Sequence, residues 1–388
     1  MFLVTGATGN VGAEVVSALI AAAQEVRALV RSDKPPALPA VVEAVAGDLN
    51  RPESLTDALA GVRGLFLLPG YEDMEGVVAQ ARRAGVERIV LLSGSSAGSG
   101  DTSNAVSAYM LRSEAAVKGS GIPWTILRPF GFMSNALRWR DQLQAGDVVV
   151  EPFADVAGAV IDPADIGAVA ASALLDPAHG GRSYVLSGPE ALTPADRARI
   201  LGAVLGRALR LEPQSNEDAR AQMTSQMPVE YVDAFFEFYV DGSLDESQVQ
   251  PTVREILGRE SRTFEQWAAG HADAFASGPP SREPGRRRGR DGIAASGVGC
   301  RLVGAHVEAE GRVGVGHQRR VGADAEDPAV HSHNEVEDAA RVAAGEQQGD
   351  ARDEDHQADE STAGAPSAVV AGRVQAGPRA SANTPTTR

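Results

Sequence analysis

The chain predicts an α/β fold: a doubly wound parallel sheet with a small, mostly helical C-terminal lobe and a disordered tail. Three observations carry this expectation. An apolar stretch at the head of the chain runs straight into three evenly spaced glycines. Apolar strand-like runs then alternate with helical patterns through residue 127. After Phe275 the composition changes abruptly.

The first strand ends in Val4-Thr5 and leads into Gly6-Ala7-Thr8-Gly9-Asn10-Val11-Gly12, a G-x-x-G-x-x-G spacing. This is the pattern of the phosphate turn in a Rossmann-like dinucleotide fold. Gly6 would permit the sharp turn out of the strand, Gly9 would let the backbone approach a pyrophosphate, and Gly12 would let the next helix sit close to the sheet. A helix over 10–22 would aim its free N–H groups at the phosphates, so no basic side chain is needed there. Thr8, Asn10 and Val11 belong to the same candidate cofactor loop.

Further strands are expected at 25–31, 41–46, 65–68 and 87–92, and at Trp124–Leu127, where Arg128-Pro129 ends the run. Helices are expected at 52–59 (opened by Asn50 or Pro52), 72–84 and 104–118. Near-continuous apolar strands of this kind suit a parallel sheet covered on both faces. Beyond them come a strand near 148–150, a helix at 163–175, a strand at 183–186 and helices at 194–206, 215–225, 228–241, 251–257 and 263–274. These helices would form a lobe over the carboxyl ends of the strands, where ligands bind. The chain thus divides into 1–150, a NAD(P)-binding core; 151–275, the remaining core elements and a substrate-binding lobe; and 276–388, a low-complexity tail.

That tail contains no Phe, Trp, Tyr, Met or Lys in 113 residues, so it has few large side chains to offset its ordering entropy. It carries Cys300, the only cysteine, and five of the seven histidines. Its Arg-Gly-Ala-rich composition suits either a disordered extension or a GC-rich coding sequence read out of frame. Its His and acidic residues lack ligand spacing, so no metal is expected. The net charge of −16, with 35 acidic against 22 basic residues before position 276, argues against a nucleic-acid surface. No apolar run approaches the roughly 18 residues of a membrane span, and one cysteine excludes an internal disulfide framework. The expectation is a cytoplasmic protein with a small-molecule substrate and no membrane contact, acting alone, as a homodimer or with a regulatory protein partner.

Several residues refine the cofactor. The second strand ends in Arg31, with Lys34 beyond it, and a cation there would pair with the 2′-phosphate of NADP. Arg31 also reads as an ordinary strand end, and Asp33 could take the acidic role that NAD requires, so NAD stays open. Asp48, followed by Leu49, would meet the adenine edge or simply cap a turn. Leu68-Pro69 would run beside the pyrophosphate and nicotinamide ribose, and Ser93 would lie near the nicotinamide. For catalysis, Tyr109 and Ser93 are candidate donors. No lysine follows Tyr109 by four residues. Arg112 is close but stays protonated and makes a poor proton shuttle, and Tyr109 also reads as a packing residue. His179 and His271, the two histidines before the tail, read as loop or surface residues.

The opening Val4–Gly12, then Val26–Arg31, Gly47-Asp48-Leu49, Ser120–Pro129 and Val253–Arg259 with Thr263–Trp267 together resemble the NmrA-like family of atypical short-chain dehydrogenase/reductases. The likeness runs to about residue 275. It implies NADP-preferring binding and either an NADPH-dependent reductase of quinones, azo compounds or dyes, or a redox-sensing regulator that binds the cofactor without turnover. It places Gly6, Gly9 and Gly12 at the phosphates, Arg31 at the 2′-phosphate and Asp48 with Leu49 at the adenine. Glu114 matches a helix glutamate of the group. Enzymatic relatives often carry Lys or His four residues earlier, where this chain has Met110, a candidate apolar wall. Phe130, Phe132, Met133 and Asn135 match the segment entering the substrate cleft. The two phenylalanines would stack on a flat acceptor or pack in the core. The leading expectation is an NADPH-dependent reductase of a quinone-like or other flat apolar acceptor, with the non-catalytic sensor as the alternative. An epimerase or dehydratase is disfavoured by the missing Tyr/Lys pair.

Overall fold

In the computed structural model, which describes residues 1–31 and 38–275, apolar runs and helices alternate in chain order. They are β1 (Phe2–Val4), α1 (Asn10–Ala21), β2 (Val26–Val30), β3 (Glu43–Ala46), α2 (Thr56–Leu59), β4 (Gly64–Leu67), α3 (Met74–Arg83), β5 (Arg88–Leu92), α4 (Ala105–Gly119), β6 (Trp124–Pro129), α5 (Arg140–Ala145), β7 (Val148–Glu151), α6 (Pro163–Leu175), β8 (Arg182–Leu186), α7 (Pro194–Leu205), β9 (Arg210–Pro213), α8 (Asn216–Thr224), α9 (Val229–Tyr239), α10 (Thr252–Leu257) and α11 (Phe264–Gly270). Residues 276–388, the expected tail, and Asp33 and Lys34 lie outside the described residues.

Seven strands form one parallel sheet in the order β3-β2-β1-β4-β5-β6-β8. The order reverses between β1 and β4, and such a switch point opens a crevice at the carboxyl ends of the strands. Alternate side chains leave the sheet on opposite faces. Phe2, Val4, Phe66, Val90 and Leu127 therefore pack under α1 and α6, with Val15, Leu19, Ile166 and Val169. Leu3, Leu65, Leu67, Ile89, Leu91 and Ile126 pack on the other side, against Leu55, Leu59, Val77, Val78 and Val117. Burial on both faces is why the strands read as unbroken apolar runs.

Four departures from the sequence reading have local causes. β6 continues through Arg128 and Pro129. β8 pairs with both residues, while pairing to β5 stops at Leu127, so the N–H that proline lacks is not required. The short strand β7 leaves the main sheet and pairs in parallel with β9, an unexpected strand whose Arg-Leu-Glu-Pro sequence carries little β signal. A 3₁₀ segment, Met133–Trp139, continues into α5 where no helix was expected. The expected helix at 263–274 is instead α11 followed by a separate 3₁₀ turn, Ala272–Phe275. The break at His271 lets its ring stack on Trp267 at 4.7 Å.

Two smaller clusters shape the region above the strand ends. Trp139, Leu143, Val149, Leu201, Phe264, Trp267 and Phe275 build one. Val106 at the start of α4 packs with Met223, Val232, Phe235, Phe236 and Phe238 in the other. Asn104 links these layers: its side-chain oxygen caps α4 at the N–H groups of Val106 and Ser107, while its amide nitrogen donates to Ala234 O and Glu237 in α9.

Candidate cofactor and substrate site

The turn from β1 into α1 is made of backbone that excludes side chains. Gly6 has φ +60°, and a Cβ there would meet Leu68 at 2.5 Å. A Cβ on Gly12 would lie 2.0 Å from the Gly6 carbonyl oxygen, so the glycine is needed for packing against the turn itself. Gly9 is the N-cap, offers no side-chain cap, and its N–H donates to Gly6 O at 2.9 Å. The first intrahelical donor is Ala13, bonded to Gly9 O, so the N–H groups of Asn10, Val11 and Gly12 stand ahead of it. Helices α3, α4, α6, α7, α8 and α11 are all capped by a side chain (Asp73, Asn104, Asp162, Thr193, Ser215 and Thr263), and α1 is not. Its first turn also lacks an acidic residue. An uncapped, dipole-positive helix start at the switch point fits a diphosphate.

The opposite wall is fixed by a residue whose role the sequence reading missed. Thr5, fully buried, accepts a hydrogen bond from the Leu68 N–H at 3.0 Å and so ties Leu68-Pro69-Gly70 to the glycine turn. Tyr109 is also drawn into this wall. Its hydroxyl donates to Pro69 O at 3.0 Å, and its ring occupies the space a side chain at Gly70 would take. Burial pushes its phenol well above the ordinary tyrosine range, with the charges of Tyr71 and Tyr231 adding to the effect. Arg112 is exposed. Arg31 follows β2 directly and is exposed at its carboxyl end. Asp48 accepts from the Asn50 N–H at 2.9 Å and lies 3.4 Å from Arg51, while Leu49 is buried in the core.

Between wall and cavity lies a buried charge network. Glu114, 1 % exposed, accepts from Ser93 Oγ (2.8 Å), Arg128 Nε and Nη2 (2.8 and 2.7 Å) and Lys118 Nζ (2.9 Å). Burial alone would raise its carboxyl. The hydrogen bonds from Arg128, Lys118 and Ser93, with the Arg128 charge, outweigh burial and hold it below the ordinary range. The hydroxyl protons of both Ser93 and Tyr109 are therefore engaged within the protein.

Ser93 and Gly94 at the end of β5 open onto a cavity of about 500 Å³, open mouth included. The structure brings Met110, Phe130, Phe132 and Asn135 together on its wall, but not Tyr109; Met133 is buried behind it. The C-terminal lobe completes the wall with Phe235, Phe238, Tyr239, Leu244 and Glu246, none of which the sequence reading placed there. The available signal was density: five aromatic residues fall within Tyr231–Tyr239. Glu246 accepts from Ser95 Oγ (2.5 Å) and the Gly131 N–H (3.2 Å), pinning the lobe to the loops after β5 and β6. Burial raises its carboxyl, and those two hydrogen bonds and the Arg197 charge oppose that rise. His179 bonds Tyr184 and Ser172 away from this cavity. Among the described residues no group of three or more His, Cys, Asp or Glu side chains is placed to hold a metal ion, and no helix is long and apolar enough to cross a membrane.

Comparison with known proteins agrees with this geometry. Residues 6–177 match the family described as NAD(P)H-binding. The chain is 40 % identical over 283 residues to the (4-alkanoyl-5-oxo-2,5-dihydrofuran-3-yl)methyl phosphate reductase of Streptomyces griseus, covering 71 % of this chain and 99 % of that protein. It is 35 % identical to the NAD(P)H azoreductase of Xenophilus azovorans, covering 71 % of this chain and all of that one. Among solved structures, the NADPH complex of an NADPH-dependent quinone oxidoreductase from Escherichia coli is similar at a TM-score of 0.56 and 25 % identity, covering 70 % of this chain and 99 % of that one. The chain belongs to the NmrA-like, atypical short-chain dehydrogenase/reductase group of NAD(P)H-dependent oxidoreductases.

Proposed function

We propose that this protein reduces a flat, largely apolar small molecule carrying a conjugated carbonyl, such as a quinone or enone, with NADPH as the electron donor. The observation that carries this reading is the aromatic cavity beside Ser93 and Gly94, at the carboxyl ends of strands whose switch point holds the uncapped start of α1. Gly6, Thr8, Gly9, Asn10, Val11 and Gly12 would hold the diphosphate, Arg31 the 2′-phosphate, Asp48 and Leu49 the adenine side, and Leu68, Pro69 and Ser93 the nicotinamide side. When bound, the reduced nicotinamide supplies a hydride. Met110, Phe130 and Phe132 would press a planar acceptor into position and exclude water from it, and Asn135 would offer a polar contact. The names of the relatives support reduction of unsaturated, conjugated acceptors: a furanone phosphate in one, azo compounds in another, quinones in a third.

The test is NADPH oxidation measured against a panel of quinones, enones and azo dyes. Turnover of at least one conjugated carbonyl compound is expected. NADPH binding with no turnover of any panel member would replace this reading with that of a cofactor-binding sensor.

A further inference from the structure

Cavities that handle a carbonyl need a donor for its oxygen, and the two hydroxyls nearest the strand ends are spent: Tyr109 on Pro69 and Ser93 on Glu114. The lobe supplies another. Tyr239, the last residue of α9, lines the cavity, and its hydroxyl has no hydrogen-bond partner among the described residues. Its ring is held from three directions, by Phe153 (centroids 5.2 Å), Phe238 (6.2 Å) and a stacked Phe235 (6.3 Å). Phe153 has φ +55°, a strained conformation for a bulky side chain, and its contacts with Phe236 and Tyr239 hold it there. Behind this group lies Arg197 of α7, 8 % exposed. Its Nε is buried without a hydrogen-bond partner, and its guanidinium lies over Trp139 at 6.0 Å. A buried cation is costly unless something meets its charge, and here the Glu246 carboxylate acts on it without forming an ion pair.

We propose that Tyr239, backed by Arg197, is the oxygen-recognising pole of the cavity and donates a hydrogen bond to the carbonyl oxygen of the acceptor. This rests on the reductase reading above and adds the residue that orients the substrate. Burial, and then the Glu246 charge, hold the Tyr239 phenol above its ordinary range, so it stays a donor throughout. The Arg138 and Arg197 charges act with the opposite sign and offset part of that effect. As the acceptor carbon gains hydride, its π electron pair moves onto that oxygen. The two electrons come from NADPH, which leaves as NADP⁺, and a proton from water completes the product. Asn135 and the Ser96 hydroxyl are the rival donors on the same wall.

The experiment compares wild type with Tyr239→Phe and Asn135→Leu, using menadione as the carbonyl probe. Its binding to the NADP⁺-loaded protein is measured by calorimetry, and its reduction by steady-state kinetics. Tyr239→Phe keeps every ring contact and deletes only the hydroxyl. It is expected to weaken menadione binding about tenfold, to lower kcat/KM about a hundredfold, and to leave NADPH affinity unchanged. Wild-type binding and turnover in Tyr239→Phe, or a loss confined to Asn135→Leu, would overturn the assignment and leave the reductase reading standing. A wild-type protein that neither binds nor reduces menadione or any other conjugated carbonyl would overturn both.

Discussion

A methyl group at Gly12 would sit 2.0 Å from the Gly6 carbonyl oxygen, inside the turn that carries the uncapped start of α1. Backbone lies on both sides of that contact and cannot rotate away as a side chain would. Gly12→Ala is therefore expected to cost about 1–3 kcal/mol of stability by overpacking and, by shifting the N–H groups of residues 10–12, to weaken NADPH at least tenfold. Urea unfolding and a fluorescence titration measure the two effects, and unchanged NADPH affinity would show that this turn does not hold the diphosphate. Arg31→Ala tests the neighbouring assignment. Losing a charged hydrogen bond to the 2′-phosphate costs roughly 1.5–3 kcal/mol, so NADPH affinity should fall about 10- to 100-fold while NADH affinity stays put; equal losses would reject the role. The glycines were legible because backbone approach admits one residue type. Asp48 was not, because a carboxylate ahead of Asn50 and Arg51 reads equally as adenine contact and as turn cap, and here its oxygens meet Asn50 and Arg51.

At the scale of elements, Glu114 joins α4 to the ends of β5 and β6 through Ser93 and Arg128. Glu114→Gln leaves the cations facing an amide. Arg128 is 17 % and Lys118 39 % exposed, so water softens the loss, and roughly 2–3 kcal/mol is expected, below the range of about 3–5 for a fully buried pair. The pH dependence has a definite sign. Because the folded carboxyl is held below its unfolded value, its contribution is complete above the unfolded carboxylate range, near about 4.3, and is lost as pH falls through the folded value. Wild type should lose more stability on acidification than Glu114→Gln, and parallel stability–pH curves from chemical denaturation would contradict the network's role. Glu246, raised by burial, has the opposite slope, but it is present in both proteins and cancels in the difference. Strands β1, β2, β4, β5 and β6 were legible because burial on both faces leaves an apolar run, whereas β3 is a largely exposed edge strand. β9 was not legible, since four residues including Arg210, Glu212 and Pro213 acquire strand geometry only from pairing with β7.

For the whole molecule, the sheet half of the site follows from local pattern and the lobe half does not. Tyr239 and Glu246 meet Ser95 and Phe130 across more than a hundred residues of chain, and no periodicity in α9 announces which strand ends it will cover. The described residues nevertheless close on themselves. The last 3₁₀ turn places Phe275 edge-on against Trp267 in the cluster with Trp139 and Leu143, while Asp162 and Asp165 hold Arg262 and Arg259 just before α11. The Streptomyces and Xenophilus reductases are matched over 99 % and 100 % of their own lengths by 71 % of this chain. The bonds described above for the glycine turn, the Glu114 network and the cavity wall are all made among residues 1–275. A chain ending at residue 275 is therefore expected to unfold in one cooperative transition within about 2 °C of the full-length protein, a shift smaller than a 1 kcal/mol change would produce in a domain of this size. It should also bind NADPH with unchanged affinity and reduce the same acceptors with the same kcat/KM. Loss of the transition, or a drop in cofactor affinity beyond threefold, would mean that the segment after Phe275 completes the lobe and that the site is not built by residues 1–275 alone.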